Sequence, residues 1–519
     1  MTTSETTSEE SEITSESETT SGSETASGSE TASDMSAESI GREAGRGLRW
    51  SLVGTIIGKA GGFATGLLLA RLLEPADFGV YAVAVAAMTF VMHVNDVGLI
   101  AATVQWRGRL EDMAPTATTM AMSFSVVIYG IFWFIAPTIA GLAHLPQATG
   151  LIRLVTVVIL VDGVTAVRSG ALMRTFRQDK LIQANIAGVV VNAGVAISLA
   201  ATGAGPYSFA VAVVAGAIVT GVLVLTGAGV PWRLGLDLSV ARRLLAFGIP
   251  LAASLGIESV LLNADYIIVG HVVGAEQLGY YLLAFNVSTW SLSIISSAVR
   301  YVSIAGFSRL SEMDSAKLSA GVQRSMPLLV TILVPIIVLT AALASPLVTT
   351  LYGGEWTPAA PVLRFLMILT VVRVLTSFAL DILMGAGATR STLWVNLGWA
   401  VALIPALIFA ANRDGIRGAA VAHAVVGLLV AVPVTVVALH RVGVRLGPIV
   451  PALVRPLFAG VVSGGVALLV ANAVGPYPVL RVGIGGTAGL LVYGALAIAP
   501  AELRQALRLI RREKATTVG

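Results

Sequence analysis

The sequence predicts an all-α polytopic membrane protein with about fourteen transmembrane helices. Two features carry this prediction: charged residues make up only 12% of the chain while hydrophobic residues reach 56%, and the mean hydropathy is +0.85. A soluble globular domain carries about 25% charged residues. Half that share over 519 residues is too little to cover a water-facing surface, so most of the surface is expected to face lipid.

The composition also excludes several kinds of chemistry. The chain contains no Cys, which rules out disulfides and thiolate catalysis. The basic residues are scattered between apolar runs, where they act as topology signals, so the net charge of +4 does not indicate a nucleic-acid partner. The five His show no ligand-like clustering and are expected at the membrane interfaces. We therefore expect no metal, no cofactor, no catalytic residues and no enzymatic activity.

Apolar runs of about 20 residues are long enough to cross the hydrocarbon core as helices. A polar break at 231–243 separates the sixth run from the seventh, and the tenth is unusual in containing Arg364, Arg373 and Asp381. The predicted spans are 48–70, 80–102, 114–137, 149–169, 181–202, 206–227, 245–268, 279–304, 327–350, 359–384, 392–411, 416–438, 451–473 and 478–499.

The basic residues predict the orientation of these spans. With the N-terminus in the cytoplasm, most Lys and Arg fall in cytoplasmic loops, and the opposite loops hold only Arg71, Arg413, Arg417 and Arg481. Both termini are then cytoplasmic. Residues 1–38 form an acidic Ser/Thr-rich tail with nothing apolar to bury, which is expected to be disordered, and residues 501–519 form a basic tail.

A weak internal repeat predicts the domain organisation. The segment ARLLEPADFGVYAVAV, from Ala70, aligns without a gap to GHVVGAEQLGYYLLAF, from Gly270, and matches Gly79 to Gly279. Six spans separate the two copies, so both have the same orientation, as in transporters built from parallel repeats. This predicts two six-helix lobes, 39–230 and 231–440, followed by two C-terminal helices within 441–500.

The stretch RLLEPADFGVYAVA resembles a known family. Its Arg71, Leu73, Pro75, Asp77, Phe78, Gly79 and Tyr81 fit a pattern typical of the polysaccharide exporter, or oligosaccharide (Wzx-like) flippase, branch of the multidrug/oligosaccharidyl-lipid/polysaccharide exporter superfamily. The stretch DYIIVGHVVGAEQLGYY at 265–281 also looks like the family. The resemblance implies an inner-membrane flippase that moves undecaprenyl-diphosphate-linked oligosaccharides to the outer leaflet by alternating access. Its implied partners are that lipid-linked saccharide, membrane lipids and polysaccharide polymerase or ligase machinery, and it is expected to be a monomer.

The motif also has a local structural interpretation. Pro75 cannot continue a helix and is expected to end the first span. Gly79 is expected to permit a tight turn into the second. On this interpretation, the motif shapes a hairpin and does not contact substrate.

Ionisable residues within spans are the candidate site, because a charge at mid-bilayer usually faces a cavity or a partner. Arg and Lys would attract a diphosphate headgroup, and acidic residues would bind a coupling proton or cation. The alternative is structural ion pairs, such as Lys59–Glu258 or Arg373–Asp381, or snorkelling. The substrate candidates are Lys59, Arg300, Arg364, Arg373, Glu258 and Asp96, and the coupling-ion candidates are Glu258, Asp265, Asp162 and Asp381.

Two other functions stay open at this point. A drug or metabolite antiporter of the same superfamily would usually have twelve spans and an acidic cavity. A membrane glycosyltransferase or polymerase would need a large outer loop with acidic catalytic residues. The predicted outer loops are short, the longest near 138–150 and 473–478, which argues against an enzyme.

Overall fold

The computed structural model describes residues 54–95, 103, 110–175, 177–228, 233–310, 315–385 and 389–497. Within these ranges the protein is helical and contains no β-strand, and eleven helices are long and apolar enough to cross a membrane. Large apolar side chains point outward from them, including Phe134 at 81% exposure and Leu469 at 72%. An apolar outer surface of this kind fits lipid and confirms the predicted membrane class. Both predicted tails lie outside the described residues.

The N-terminal half comprises the described residues from 54 to 228. Its first two helices are joined by a five-residue turn, and its fourth and fifth are one span interrupted at Thr156 and Val157. The helices are α1 (Gly54–Leu69), α2 (Pro75–Asn95), α3 (Leu110–Leu142), α4 (Ala148–Val155), α5 (Val158–Arg174), α6 (Gln178–Ala201) and α7 (Tyr207–Gly227).

The C-terminal half comprises residues 233–441, and a pair of helices follows it. A 3₁₀ turn (Gly354–Trp356) precedes the third long helix, and a π turn (Gly427–Ala431) links the last two of the half. The helices are α8 (Leu238–Leu310), α9 (Ser315–Ala342), α10 (Ala344–Leu351), α11 (Ala359–Gly385), α12 (Thr389–Val426), α13 (Val432–Arg441), α14 (Ile449–Ala473) and α15 (Pro478–Ala497).

Two of these helices are broken where the sequence predicts a loop between spans. Helix α8 has non-helical backbone at Gly274, with φ of 80°, and α12 is broken at Asp414 and Gly415, with φ of 55° at the glycine. Only glycine enters this left-handed region without steric cost. The breaks fall between predicted spans seven and eight and between eleven and twelve. The count of fourteen spans nevertheless stays a prediction.

The C-terminal helix pair packs against α9 through small residues. Gly460 and Gly464 of α14 face Val334 and Val338 of α9, and Gly489 of α15 faces Leu339. Helices in a bilayer associate by such close packing, because lipid supplies no hydrophobic force between them. The pair is therefore an integral part of the C-terminal side of the bundle.

The segment that follows α9 corrects the predicted loops. The ninth span was expected to continue to residue 350, but α9 ends at Ala342 and the chain then forms α10 and the 3₁₀ turn before α11 begins at Ala359. This connection is longer than those predicted to be longest. Apolar composition alone did not distinguish the short α10 from the end of a membrane span.

The start of α8 is fixed by a cap. Asp237 Oδ1 accepts hydrogen bonds from the backbone N–H groups of Ser239 at 2.7 Å and Val240 at 3.3 Å, which satisfies donors that the first helical turn leaves free. These bonds, with one from the Ser239 hydroxyl, lower the pKa of the Asp237 carboxyl. The backbone N–H of Asp237 also donates to Thr116 Oγ1 in α3, so the cap ties the two halves together.

Candidate functional site

The two copies of the repeat cross each other in space. A Cβ atom added to Gly79 in α2 would overlap the backbone carbonyl of Ala275 in α8, and one added to Gly279 would overlap that of Pro75. Residues 79 and 279, like 75 and 275, differ by 200 positions, so the two contacts exchange under the register of the repeat. The helices therefore meet backbone to backbone at a local two-fold axis.

This crossing corrects two predictions about the motif. Gly79 lies inside α2 with ordinary helical backbone and not in a tight turn. It is needed because a neighbouring carbonyl occupies the space of a side chain. Pro75 begins α2, whereas α1 already ends at Leu69, and proline suits a first helical position because its missing N–H would have no partner there.

The remaining motif residues hold this junction together. Asp77 Oδ2 accepts the backbone N–H of Glu74 at 3.3 Å, as in a capping box at the start of α2. Arg71 donates to the carbonyls of Thr350 and Leu351 at 3.4 and 3.3 Å, at the carboxyl end of α10, where a helix favours a cation.

Trp356 is the centre of the junction and is fully buried. Its indole N–H donates to the carbonyl of Ala70 at 2.8 Å, which joins the C-terminal half to the motif. Its ring meets Phe78 edge-on at 4.9 Å and Tyr280 at 5.9 Å, and Tyr81 stacks on Phe209 nearby. We call residues 70–81, 275–280 and 350–356 the motif clamp. It closes the two halves against each other at one end of the molecule.

A histidine pair lies across the same junction. His144, just after α3, stacks on His271 of α8 with ring centroids 3.8 Å apart. The Nδ1 of His271 lies 2.8 Å from the Leu142 carbonyl, and that of His144 lies 3.2 Å from the His271 carbonyl. Both side chains are exposed, as expected for interfacial histidines.

The N-terminal half contains a polar cluster with neutral partners. Asn95 Nδ2 donates to Asp162 Oδ2 at 2.9 Å, and Ser125 Oγ donates to Asn95 Oδ1 at 2.8 Å. Asn95 and Ser125 are buried. Among the side chains that the structure describes, no basic group pairs with Asp162. This N-half cluster therefore holds one candidate coupling carboxyl through amide and hydroxyl groups.

The C-terminal half contains a polar cluster of a different kind. Asp265 is 1% exposed, accepts a hydrogen bond from the Tyr281 hydroxyl at 2.9 Å and one from the Tyr266 backbone N–H at 3.0 Å. Arg373 in α11 interacts electrostatically with this carboxyl and lies over the Phe285 ring, 5.6 Å from its centroid. The predicted coupling carboxyl and a predicted headgroup arginine therefore belong to one C-half cluster.

His423 of α12 completes the C-half cluster. It is 6% exposed and its Nε2 lies 3.5 Å from Asp265 Oδ2, yet neither ring nitrogen makes a hydrogen bond with a described residue. The expectation that every histidine is interfacial is therefore wrong for this one. Sequence analysis missed it because its partner lies more than 150 positions away, and the only local signal is a histidine within an Ala/Val-rich run.

Lys59 of α1 belongs to neither of these two polar clusters. Its side chain is exposed, and no ion pair or hydrogen bond joins its ammonium group to a side chain that the structure describes. Trp290 of α8 donates its indole N–H to the Lys59 carbonyl at 3.1 Å and stacks on Phe63 at 3.9 Å. Helix α1 is thereby held against the second segment of α8 beside the lysine. Sequence analysis did not single out Trp290.

The remaining candidate residues are not seen to join either polar cluster. Arg364 lines a crevice of about 450 Å³ formed by α9, α11 and α14. Asp381 is exposed near the far end of α11. Asp96 and the side chains of Glu258 and Arg300 lie outside the described residues, so the predicted Lys59–Glu258 pair stays a prediction. The described residues contain no group of three or more His, Asp or Glu that could hold a metal.

Comparison with protein families matches residues 68–361 to the family described as polysaccharide biosynthesis protein. The match covers more than half of the chain. It begins just before the motif and ends just after the 3₁₀ turn, so it includes the whole motif clamp.

Three curated proteins are similar over most of their lengths. The succinoglycan biosynthesis transport protein ExoT of Rhizobium meliloti (strain 1021) is 25% identical over 87% of this chain and 92% of its own. The teichuronic acid biosynthesis protein TuaB of Bacillus subtilis (strain 168) is 22% identical over 63% and 68%. The lipopolysaccharide biosynthesis protein WzxC of Escherichia coli (strain K12) is 20% identical over 72% and 76%.

Two solved structures share the fold. The lipid II flippase MurJ, in an inward closed conformation, matches with a TM-score of 0.74 at 11% identity, over 87% of this chain and 98% of its own. An inward-facing multidrug resistance transporter of the MATE family matches with a TM-score of 0.59 at 15% identity, over 74% and 94%. Identities this low establish the fold alone.

These findings agree with the family that the motif suggested. The chain belongs to the family described as polysaccharide biosynthesis protein.

Proposed function

We propose that this protein flips an undecaprenyl-diphosphate-linked oligosaccharide from the inner to the outer leaflet of the inner membrane by alternating access. The observation that carries the proposal is the motif clamp: a backbone crossing related by the repeat closes two halves at one end, in a chain whose relatives are named for transport and polysaccharide biosynthesis. Such a crossing can act as a gate between two similar bodies. As the bodies rock, the gate opens and closes, so that a site between them is exposed to either side in turn.

The proposal includes fourteen spans in two six-helix lobes, 39–230 and 231–440, with a C-terminal pair within 441–500. The helix breaks at Gly274 and Gly415, and the short apolar helix Gly54–Leu69, support this count. The distribution of basic residues supports cytoplasmic termini, which puts the motif clamp on the outer side. A closed clamp on that side corresponds to the state before release.

Lys59 is the side chain that we propose first for the headgroup. It is exposed and lies on a helix that is clamped to α8 by Trp290, so an ammonium group is held beside the junction of the two halves. A diphosphate needs such a charge, and Lys supplies it as a point charge without fixed geometry. Arg300, Glu258 and Asp96 remain proposed from the sequence, and the position of Arg364 suggests a separate role.

We propose the C-half cluster as the coupling site and a proton as the coupling ion. Asp265 lies 3.5 Å from His423 and interacts electrostatically with Arg373, and both neighbours disfavour a metal ion in the same place. A histidine whose ring nitrogens make no hydrogen bond with described residues can take up a proton and form an ion pair with Asp265. Asp162, with neutral partners only, is the second candidate, followed by Asp381 and Glu258.

A drug or metabolite antiporter is the alternative function, and the MATE-type fold favours keeping it. A glycosyltransferase or polymerase is less well supported, because one curated relative is named as a transport protein and the two solved structures that share the fold are a flippase and a transporter. Polymerase or ligase machinery remains a proposed partner, and the protein is proposed to act as a monomer.

The test is a lipid extract from a deletion strain, profiled by mass spectrometry for undecaprenyl-diphosphate-linked saccharides. We expect a completed repeat unit to accumulate on the cytoplasmic side and to disappear when the wild-type chain is restored. An unchanged lipid profile would reject the flippase and make small-molecule efflux the next assay.

In the same strain, Lys59→Ala is expected to leave the protein at normal abundance and to keep the lipid accumulated, because the headgroup loses its ammonium contact. Gly62→Ala is the matched control on α1, since a Cβ there meets nothing within 4 Å. Full export by Lys59→Ala would remove this lysine from the site.

A further inference from the structure

Arg364 stands alone in an apolar crevice on the membrane-facing side of the bundle. The crevice has a volume of about 450 Å³, and apart from this arginine every residue that lines it is apolar or glycine. The guanidinium makes no ion pair or hydrogen bond with a side chain that the structure describes. An arginine within a hydrocarbon environment is costly unless it meets an anion or water.

The depth of Arg364 in the membrane restricts what that anion can be. It lies five residues after Ala359, the start of α11, which is about 7–8 Å along the helix at 1.5 Å per residue. The other walls come from the last turns of α9 and the second half of α14, so the crevice opens near one end of the bundle. With the start of α11 at the membrane interface, as the sequence predicts for a span beginning at 359, this is the depth of lipid phosphate and the upper acyl chain.

We propose that this crevice binds a glycerophospholipid of the surrounding bilayer, with its phosphate on Arg364 and one acyl chain along the apolar wall. Arg is the side chain best suited to phosphate, because its planar fork donates two parallel hydrogen bonds. Basic pockets between membrane helices recognise lipid headgroups in this way. The wall available to the chain consists of Ile337, Ile368, Val461, Gly465 and Leu468.

The crevice suits a phospholipid better than the transported saccharide lipid. Its walls come from the C-terminal half and α14, with no contribution from the N-terminal half, so it lies outside the junction of the two halves. One arginine matches one phosphodiester, and among the described residues that line the crevice no other polar side chain could bind sugar hydroxyls. The bound lipid would fill the gap between α14 and α11 and secure the C-terminal helix pair.

Native mass spectrometry of the purified full chain tests this directly. The probe is dioleoyl phosphatidylglycerol titrated into the detergent-solubilised protein, and the readout is the fraction of protein that retains one lipid. Arg364→Gln is expected to weaken retention by roughly tenfold, the loss of one charge-assisted contact, while Arg364→Lys keeps part of it. Arg153→Gln is the matched control, because that arginine is held by the Trp133 carbonyl and ring elsewhere.

A second variant tests the crevice independently of charge. A Cβ on Gly465 meets nothing within 4 Å, so Gly465→Leu fills the space of the acyl chain without disturbing the backbone. It should reduce retention although Arg364 is intact. Retention unchanged in either Arg364→Gln or Gly465→Leu would overturn the proposal. So would displacement of the phosphatidylglycerol by undecaprenyl phosphate at equal concentration, which would assign the crevice to the transported lipid.

Discussion

The two halves of this protein are alike where they touch and different in what they bury. At the motif clamp, Gly79 and Gly279 each pack against a backbone carbonyl from the other copy of the repeat. Each half contains a polar cluster around a carboxyl group. The half-buried Asp162 accepts a hydrogen bond from an amide, whereas the buried Asp265 lies 3.5 Å from a histidine and interacts electrostatically with Arg373. The halves share the backbone crossing at the motif clamp, because a gate between two similar bodies needs one surface from each. They differ in the charges around their carboxyl groups, because a single coupling site can serve the whole molecule.

The largest expected effect comes from breaking the charge balance of the C-half cluster. Arg373→Gln removes the positive charge that acts on the buried Asp265, which should lower the free energy of unfolding and abolish transport. Thermal unfolding in detergent and a flipping assay measure the two effects.

The double variant Asp265→Asn/Arg373→Gln sharpens this result. It removes both charges, so most of the lost stability should return while transport stays absent. If the double variant were no more stable than Arg373→Gln alone, the two residues would not be energetically coupled.

The second largest effect is expected at the backbone crossing that both halves share. Gly79→Ala and Gly279→Ala each place a methyl group on a backbone carbonyl, so each should weaken the clamp by roughly 1–3 kcal/mol, and by similar amounts. Limited proteolysis at the clamp or hydrogen exchange of α2 and α8 reports the opening. Gly62→Ala is again the control and should be neutral or slightly stabilising. Strongly unequal effects would contradict the two-fold relation.

The third effect concerns Asp162, the carboxyl group of the N-half cluster. Asp162→Asn keeps an acceptor for Asn95 and removes no partner of a buried cation, so its cost in stability should be below about 1 kcal/mol. Transport by this variant should keep the pH dependence of the wild type, because the proposed proton site is in the other half. A loss of that dependence would move the coupling site to Asp162.

The smallest effect concerns Asp237, the residue that caps the start of α8. The pKa of Asp237 is lowered by its cap hydrogen bonds, so the cap is fully present above the ordinary carboxyl range and is lost as pH falls through the lowered value. Asp237→Ala should therefore lower the hydrogen-exchange protection factors of the first turn of α8 at neutral pH and make those protection factors independent of pH in the acid range. The variant should leave the exchange of α2 unchanged.

Local patterns predicted what depends on neighbours in sequence. The apolar runs gave the membrane class, and the loops expected between 268 and 279 and between 411 and 416 correspond to the breaks at Gly274 and Gly415. The register that pairs Gly79 with Gly279 also reappears as a contact. The predicted role of Gly79 was wrong, because a tight turn and a close approach of two backbones both require glycine, and only the fold distinguishes the two cases.

The missed residues depend on partners far along the chain. Trp356 contacts Ala70 and Phe78 across almost 300 positions, and His423 meets Asp265 across more than 150. Neither residue differs in local sequence from an ordinary apolar or interfacial neighbour. The sequence placed Arg364 within a predicted span, but which helices face it could not be inferred from the pattern of that span.

In the proposed transport cycle, the motif clamp opens and closes once for each lipid that is moved. His144 and His271 are exposed, stack across the junction and lie in a chain with no native Cys, so a His144→Cys/His271→Cys variant can be joined by a short thiol-reactive crosslinker. Flipping of a labelled lipid-linked oligosaccharide in proteoliposomes should fall to background when the crosslink forms and should return when a reducible linker is cleaved, while each single variant stays active. Unchanged flipping by fully crosslinked protein would contradict an opening clamp.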